Sequence, residues 1–255
     1  MTFLKIPTIA ILMLTTLFCS LATPVLAAPD DSPYVINNLV INDYNLGTKR
    51  YLEYIEDETG HIKSTSIWQR TTHTIEKEGE MFIAIDQVWR STNENSNRQL
   101  ESLNRIADFS PVYQKAVNSQ NVVEAFNFDE QHITGDKSVA DNVKAEFSIA
   151  SQADTLNWEL DIETFSLLNY SADKVFKLNF YHPGSKSAPK YYLYTVVGSE
   201  VLTTSNFGDV DCWLLKIDYA LGSHATFWID KNTRQMMKMQ EVWGKNNRYK
   251  ILLPL

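Results

Sequence analysis

"SIWQRTTHTI" (Ser66–Ile75), "EKEGE" (Glu76–Glu80) and "MFIAIDQVWR" (Met81–Arg90) follow one another without a break. Two runs of β-branched and aromatic residues on either side of a charged, glycine-bearing stretch read as strand, turn, strand. The same grammar continues outward. "VVEAFNF", "DEQ" and "HITG" (Val122–Gly135) form a second hairpin, and "YYLYTVVG", "DCWLLKIDY", "ATFWID", "RQMMKMQEVW" and "RYKILL" supply further strands toward the C-terminus. All six tryptophans, Trp68, Trp89, Trp158, Trp213, Trp228 and Trp243, sit in such short runs bounded by Gly, Asn, Asp or Pro. The chain is therefore expected to be mainly β, an antiparallel meander with one or a few short helices. One helical stripe stands out: Val139, Val143 and Phe147 recur every four residues, and Ser138 with Asp141 is placed as a capping pair. "STNENSNRQ" (91–99) is polar enough for an exposed loop, and "GSKSAP" (184–189) has turn chemistry.

The first residues, "MTFLKIPTIAILMLTTLFCSLATPVLAAPDD", place one lysine before an apolar run that ends in small residues. That order predicts a secretory leader over residues 1–27, cut after Ala27, and a single β-rich exported domain over 28–255, which the resemblance given below would place in the periplasm. A retained membrane anchor needs about 20 apolar residues, and Thr8, Thr15, Thr16, Ser20, Thr23 and Pro24 interrupt the run. Acylation of Cys19 is disfavoured by the bulky Phe18 before it. Loss of Lys5 makes the chain one unit more acidic than its formal charge of −8, a poor match for nucleic acid or other polyanions. Loss of Cys19 with the leader leaves Cys212 without an intramolecular disulfide partner, so the core must hold the fold.

"FWIDKNTRQMMKMQEVW" (Phe227–Trp243) crowds charged and polar residues beside methionines. Asp230 opening a turn, with Asn232 tolerant of left-handed dihedrals, gives turn reasons for both, and Lys231 and Arg234 then fall near a hydrated tip. A catalytic reading would need partly buried groups with shifted pKa values. Three of the four methionines after the leader, Met236, Met237 and Met239, lie in the strand that follows. Met237, Met239 and Trp243 share one parity, and Met236, Lys238 and Gln240 the other. Methionine suits surfaces that adapt to varied ligands and equally fills gaps in cores. On the ligand reading, Met237, Met239 and Trp243, joined by Trp228 and Trp213 of neighbouring strands, are the candidate ligand-binding residues.

Signals for catalysis are sparse. "WELDIE" sets Glu159, Asp161 and Glu163 along one side of a predicted strand, the wet side of a half-buried element. Two residues' rise spaces such carboxylates by about 6.5 to 7 Å, which overlaps the acid and base separation of inverting glycosidases and suits a hard cation. "SADK" and "SAPK" match a Ser-x-x-Lys pattern but lack its companion motifs. The five histidines are scattered, and Cys212 alternates with Val210 and Leu214 as a small core residue. The sequence predicts no cofactor, no metal site and no catalytic residue, and whether the protein is an enzyme stays open, with a non-enzyme favoured. The strands of "RIADFSPVYQKA" (Arg105–Ala116) and "FWIDKNTRQMMKM" (Phe227–Met239) echo one another in order, which turn chemistry alone explains.

The stretch from about Phe176 to Leu253 resembles an uncharacterised domain-of-unknown-function family of Gram-negative periplasmic proteins, related in shape to the lipoprotein carriers LolA and LolB. The likeness rests on "YYLYTVVGSEVLTT", with Val196, Gly198 and Glu200 in V-x-G-x-E order, then "FGDVDCWLL", "FWIDKNTRQMMKM" and "GKNNRYKILL". The resemblance implies a strongly curved antiparallel sheet, a half-barrel or open barrel whose concave face can hold an acyl chain, and carries over no catalytic residue. The expected partner is then a lipid or lipoprotein acyl chain in that cavity. A cell-envelope module that packs its sheet on a protein partner, without a small ligand, is the alternative. A hydrolase using the acidic stripe is the third.

Overall fold

The computed structural model describes the backbone of residues 34–35 and residues 46–255 in full. The predicted leader lies outside the described residues. The strands are β1 (Tyr34–Val35), β2 (Gly47–Asp57), β3 (Ile62–Lys77), β4 (Glu80–Ser91), β5 (Arg98–Arg105), β6 (Pro111–Asn118), β7 (Val123–Phe128), β8 (His132–Gly135), β9 (Ser148–Ala150) and β10 (Thr155–Asn157). After helix α1 (Asp161–Ser166) come β11 (Val175–Tyr181), β12 (Lys190–Thr204), β13 (Gly208–Asp218), β14 (His224–Asp230), β15 (Met236–Trp243) and β16 (Asn246–Leu253). They form one curved open sheet in the order β1-β11-β12-β13-β14-β15-β16-β2-β3-β4-β5-β6-β7-β8-β9, with β10 also on β11.

Two antiparallel meanders, β2 to β9 and β11 to β16, are thus joined where the last strand pairs with an early one, Tyr249 opposite Tyr54. Among the described residues no backbone ladder links the two ends of the sheet, but side chains do. Asn157 Nδ2 donates to Gln114 Oε1 at 2.5 Å, and the Phe128 and Tyr181 rings meet edge to face at 6.4 Å. Phe126, Phe128, Ile133 and Tyr181 form a small apolar cluster there. The main core lies on the concave side, where Tyr51, Ile83 and Ile85 of the first meander meet Phe176, Tyr194, Leu215 and Phe227 of the second.

Two sequence expectations are corrected. Residues 138–147 are turns, not a helix, and Asp141 is left-handed (φ 58°). Asn142 is the cause: its side chain bonds both the N–H and the C=O of Ala125 (3.0 and 2.9 Å), tying the loop to β7 in place of helical bonds. Val143 accordingly points to solvent, 62% exposed, while Phe147 packs on Phe126. The "WELDIE" strand is likewise replaced by a 3-10 turn, Trp158–Leu160, running into α1, with Asn157 Oδ1 accepting from Glu159 N at 3.0 Å as its cap.

Turn expectations hold over 230–235. Asp230 accepts from Asn232 N at 2.9 Å and from Thr233 Oγ1 at 2.7 Å, but the left-handed residue is Arg234 (φ 58°) rather than Asn232. The echo at 105–110 folds as the same kind of turn but out of register with the sequence likeness. Arg234 N bonds Asp230 O as Phe109 N bonds Arg105 O, and Phe109 is left-handed too (φ 60°), so Arg105 rather than Asp108 holds the place of Asp230.

Candidate functional site

The segment between the two meanders crosses the concave face and fills much of it. Every residue of α1 is buried, and Leu160, Phe165 and Leu168 join the core, Phe165 meeting Tyr194 and Phe227 ring to edge at 5.0 and 4.8 Å. On its other side the segment is anchored by charge. Arg70, 3% exposed, grips Glu163 with two nitrogens and donates to Glu159 O at 2.7 Å; Gln87 Nε2 reaches the same carbonyl at 3.0 Å. Burial works against the Arg70 charge, yet Glu163 outweighs it and raises the guanidinium pKa above its usual value. Arg98 Nη2 holds the Glu159 carboxylate at 2.7 Å. Glu159 and Glu163 are therefore arginine-paired anchors of a helical segment, not an acidic stripe on the wet side of a strand.

Beside this plug a cavity of about 560 Å³ remains. Its wall is set by register: Trp68, Trp89 and Arg98 stand opposite one another across β3, β4 and β5. The Trp68 and Trp89 rings stack at 3.9 Å and 7°, with the Arg98 guanidinium 4.4 Å from the Trp89 centroid and the Lys250 ammonium 4.0 Å from that of Trp68. Each indole N–H is met by a polar residue two positions earlier, Ser66 for Trp68 (3.1 Å) and Gln87 for Trp89 (3.0 Å). Ser66 in turn donates to Glu53 at 2.5 Å. Across the cavity His182 stacks on Trp158 at 4.3 Å and sits 3.1 Å from the Tyr192 hydroxyl; burial lowers its pKa.

A second slot of about 410 Å³, apolar and aromatic except for Lys238 and the polar residues 203–206, lies under an arm of the sheet. β12 bulges at Gly198 (φ 154°), and from Val201 and Asp211 outward β12 and β13 pair only with each other; their tip brings Leu202 and Phe207 toward Tyr54, Met237, Tyr249 and Ile251. Tyr54 and Tyr249 stack at 4.9 Å. Lys238 also lines the slot. Its ammonium lies 4.4 Å from the Trp228 ring centroid and, among the described residues, forms no ion pair.

A bulge separates the methionines. Ile229 pairs with Met236 and Trp228 with Lys238, so Met237 is the extra residue and the period-2 parity breaks there. Met236 borders a small space beside Tyr51 and Ile162, Met239 is 2% exposed in the core, and Met237 lines the slot. Of the other candidates, Trp228 is 8% exposed and carries the Lys238 ammonium over its ring. Trp213 lies under Lys231 at 4.5 Å, and Trp243 lies 5.7 Å from the Arg248 guanidinium. Met237 alone of the five lines the slot. Cys212 is fully buried as expected, and burial, followed by nearby Asp230, pushes its thiol up to about 12.

The model of DUF3108, a family of proteins of unknown function, matches residues 58–251. The chain belongs to the DUF3108 family. Two solved structures are similar to this DUF3108 protein. One is a β-barrel-like protein of the domain of unknown function DUF1849 from Brucella abortus, 11% identical, with a TM-score of 0.48 over 82% of this chain and 97% of that one. The other is a DUF1329 family protein from Desulfovibrio piger, 10% identical, with a TM-score of 0.33 over 81% and 82%. No curated protein matches the sequence. Among the described residues of the DUF3108 chain, no helix is long and apolar enough to cross a membrane, and no group of three or more His, Cys, Asp or Glu is placed to hold a metal ion.

Sequence reasoning missed the tryptophan stack, although a signal for it was present. Both strands carry a polar residue two places before the tryptophan, "SIW" and "QVW". Glu78 (φ 56°) and Gly79 (φ 80°) form a two-residue turn with Lys77 opposite Glu80. Counting back from that turn places Trp68 against Trp89.

Proposed function

We propose that this DUF3108 protein is a secreted, periplasmic binding module for an amphiphile. Its apolar chain lies in the slot beside Met237, and its anionic head meets Lys238. The observation that carries the reading is the slot itself: apolar and aromatic walls, volume enough for a chain, and at its edge an ammonium held over an aromatic ring instead of by a carboxylate. The leader pattern supports export. This moves the apolar ligand from the concave face, where the plug segment sits, to the shelter of the β12–β13 arm. The test is displacement of a fluorescent fatty acid. Wild type is expected to bind it, Met237→Asp to lose at least tenfold in affinity, and Lys238→Ala to lose several-fold along with the salt dependence. Failure of the folded wild type to bind rejects the reading.

A second reading, a protein-docking module, is favoured by one observation. Tyr191 and Leu193 stand exposed on one face of β12, by 40% and 50%, and Val197 at the bulge is 50% exposed. Charge placed on this row, as in Leu193→Glu, leaves fatty-acid binding intact if the slot is the working surface.

A further inference from the structure

We propose that the cavity beside Trp68 is a second ligand site, and that it takes an oxyanion, a carboxylate or phosphate group, on the Lys250 ammonium. It is separate from the slot. Lys238 and its partner Ile251 line the slot, whereas Met239 and its partner Lys250 belong to the other side of the β15–β16 ladder.

The argument begins with an unmatched donor. Lys250 is only 6% exposed and borders the cavity, and its ammonium makes no hydrogen bond or ion pair among the described residues beyond its place over Trp68. The neighbouring cations are provided for: Arg70 by Glu163, Arg98 by Glu159, and Arg248 by Glu241 and Glu53. Withdrawing a charge from water without a partner is costly, and folds retain such groups at functional sites. Burial accordingly pulls the Lys250 pKa down to about 8, with Asp161 of α1 and Glu53 of β2 opposing the shift and Arg248 and Arg70 adding to it. An entering oxyanion supplies the missing acceptors and reverses that penalty. The ring geometry argues against a sugar stacked on the tryptophans. Trp68 and Trp89 face one another, and Lys250 and Arg98 lie over the rings as well. Three carboxylates, Glu53, Glu159 and Asp161, line the cavity with four cations, and of the cations Lys250 is the one with no ion pair among the described residues; the volume leaves room for the body of a small ligand beyond the anionic group.

The experiment titrates the full-length secreted protein with inorganic phosphate and, separately, with benzoate at pH 7. Tryptophan emission reports the Trp68–Trp89 stack, and the melting temperature reports binding independently. A saturable response is expected in at least one arm: phosphate alone marks a phosphate ligand, benzoate alone a carboxylate. Lys250→Met weakens it at least tenfold, Lys250→Arg by no more than a few-fold, and Lys245→Ala on the surface binds as wild type. Wild-type affinity is expected to fall as pH rises through 8 to 9.5 and Lys250 loses its proton. No saturable response to either anion by the folded wild type overturns the proposal, as does undiminished binding by Lys250→Met. Should that variant fail to fold, an affinity that stays flat from pH 7 to 9.5 overturns it instead. Loss of fatty-acid binding at the slot has no bearing on either outcome.

Discussion

The slot and the cavity are built in opposite ways from strands of the same sheet. The slot is walled mostly by apolar and aromatic residues, and its lysine rests over a tryptophan at its edge. The cavity is lined by seven charged side chains, three of its four cations neutralised by carboxylates and the fourth set over a ring. The difference shows what each region tolerates. Apolar walls hold together by packing and forgive a polar change where water reaches, whereas buried charge depends on every partner being present.

The largest effect is expected where a partner is removed from the charged region. Arg70→Ala leaves Glu163 buried without its counter-ion and the carbonyl of Glu159 with only its Gln87 donor, and should cost about 3–5 kcal/mol, read from the urea midpoint. Arg70→Met combined with Glu163→Leu should recover much of that loss; if the double variant is no better than the single, the ion pair is not what anchors the plug.

The methionines give the same contrast on the apolar side. Met239→Asp buries an unpaired charge in the core and is expected to cost about 3 kcal/mol or more, whereas Met237, 6% exposed in the same core cluster but bordering the slot, should lose less on the same change. Equal losses in urea denaturation would erase the distinction between core and slot.

Lys250→Met is expected to stabilise the protein at pH 7, by about 1–3 kcal/mol. The sign follows from proton binding. The folded-state pKa of about 8 lies below the ordinary lysine value of 10.5, so between these pH values the unfolded chain binds more protons and the wild type gains stability as pH rises. Below about 8 the penalty is fully present. The difference between variant and wild type should therefore shrink from pH 8 to 10.5, which isolates Lys250 from the buried tyrosines. A difference that does not change with pH would place the ammonium in water.

The smallest effect belongs to the 230–235 turn. Lys231 pairs with Asp211 at 2.9 Å and lies over Trp213, so Lys231→Ala should cost under about 1 kcal/mol. In the same folded protein Cys212 should resist thiol reagents until urea exposes it, because burial disfavours its thiolate.

Most of the sheet was legible in the sequence, because strands announce themselves locally. Ser66–Arg90, Val122–Gly135 and Phe227–Trp243 each carry β-rich runs around a turn, and each is a hairpin in the fold. The helical elements were not. "WELDIE" alternates like a strand because its carboxylates are spaced two apart, yet the segment is buried on all sides, so no wet face marks its true period. Val139, Val143 and Phe147 have helical spacing, but Asn142 offers the backbone a better set of bonds elsewhere. The candidate residues divided for a similar reason. A one-residue bulge reverses the parity on which Met237 and Met239 were grouped, and nothing within "RQMMKMQ" declares it.

The sequence by itself determined the β architecture, the turn at 230–235 and the burial of Cys212, since strand pattern, turn chemistry and local hydrophobicity act over a few neighbouring residues. Only the tertiary structure decided that the last strand pairs with the second, that residues 158–168 plug the concave face, and that Lys250 is left over Trp68 without a carboxylate. Those outcomes depend on which distant partners meet. Arg70 finds Glu163 across 93 positions of chain, and no short window of sequence contains both ends of such a contact.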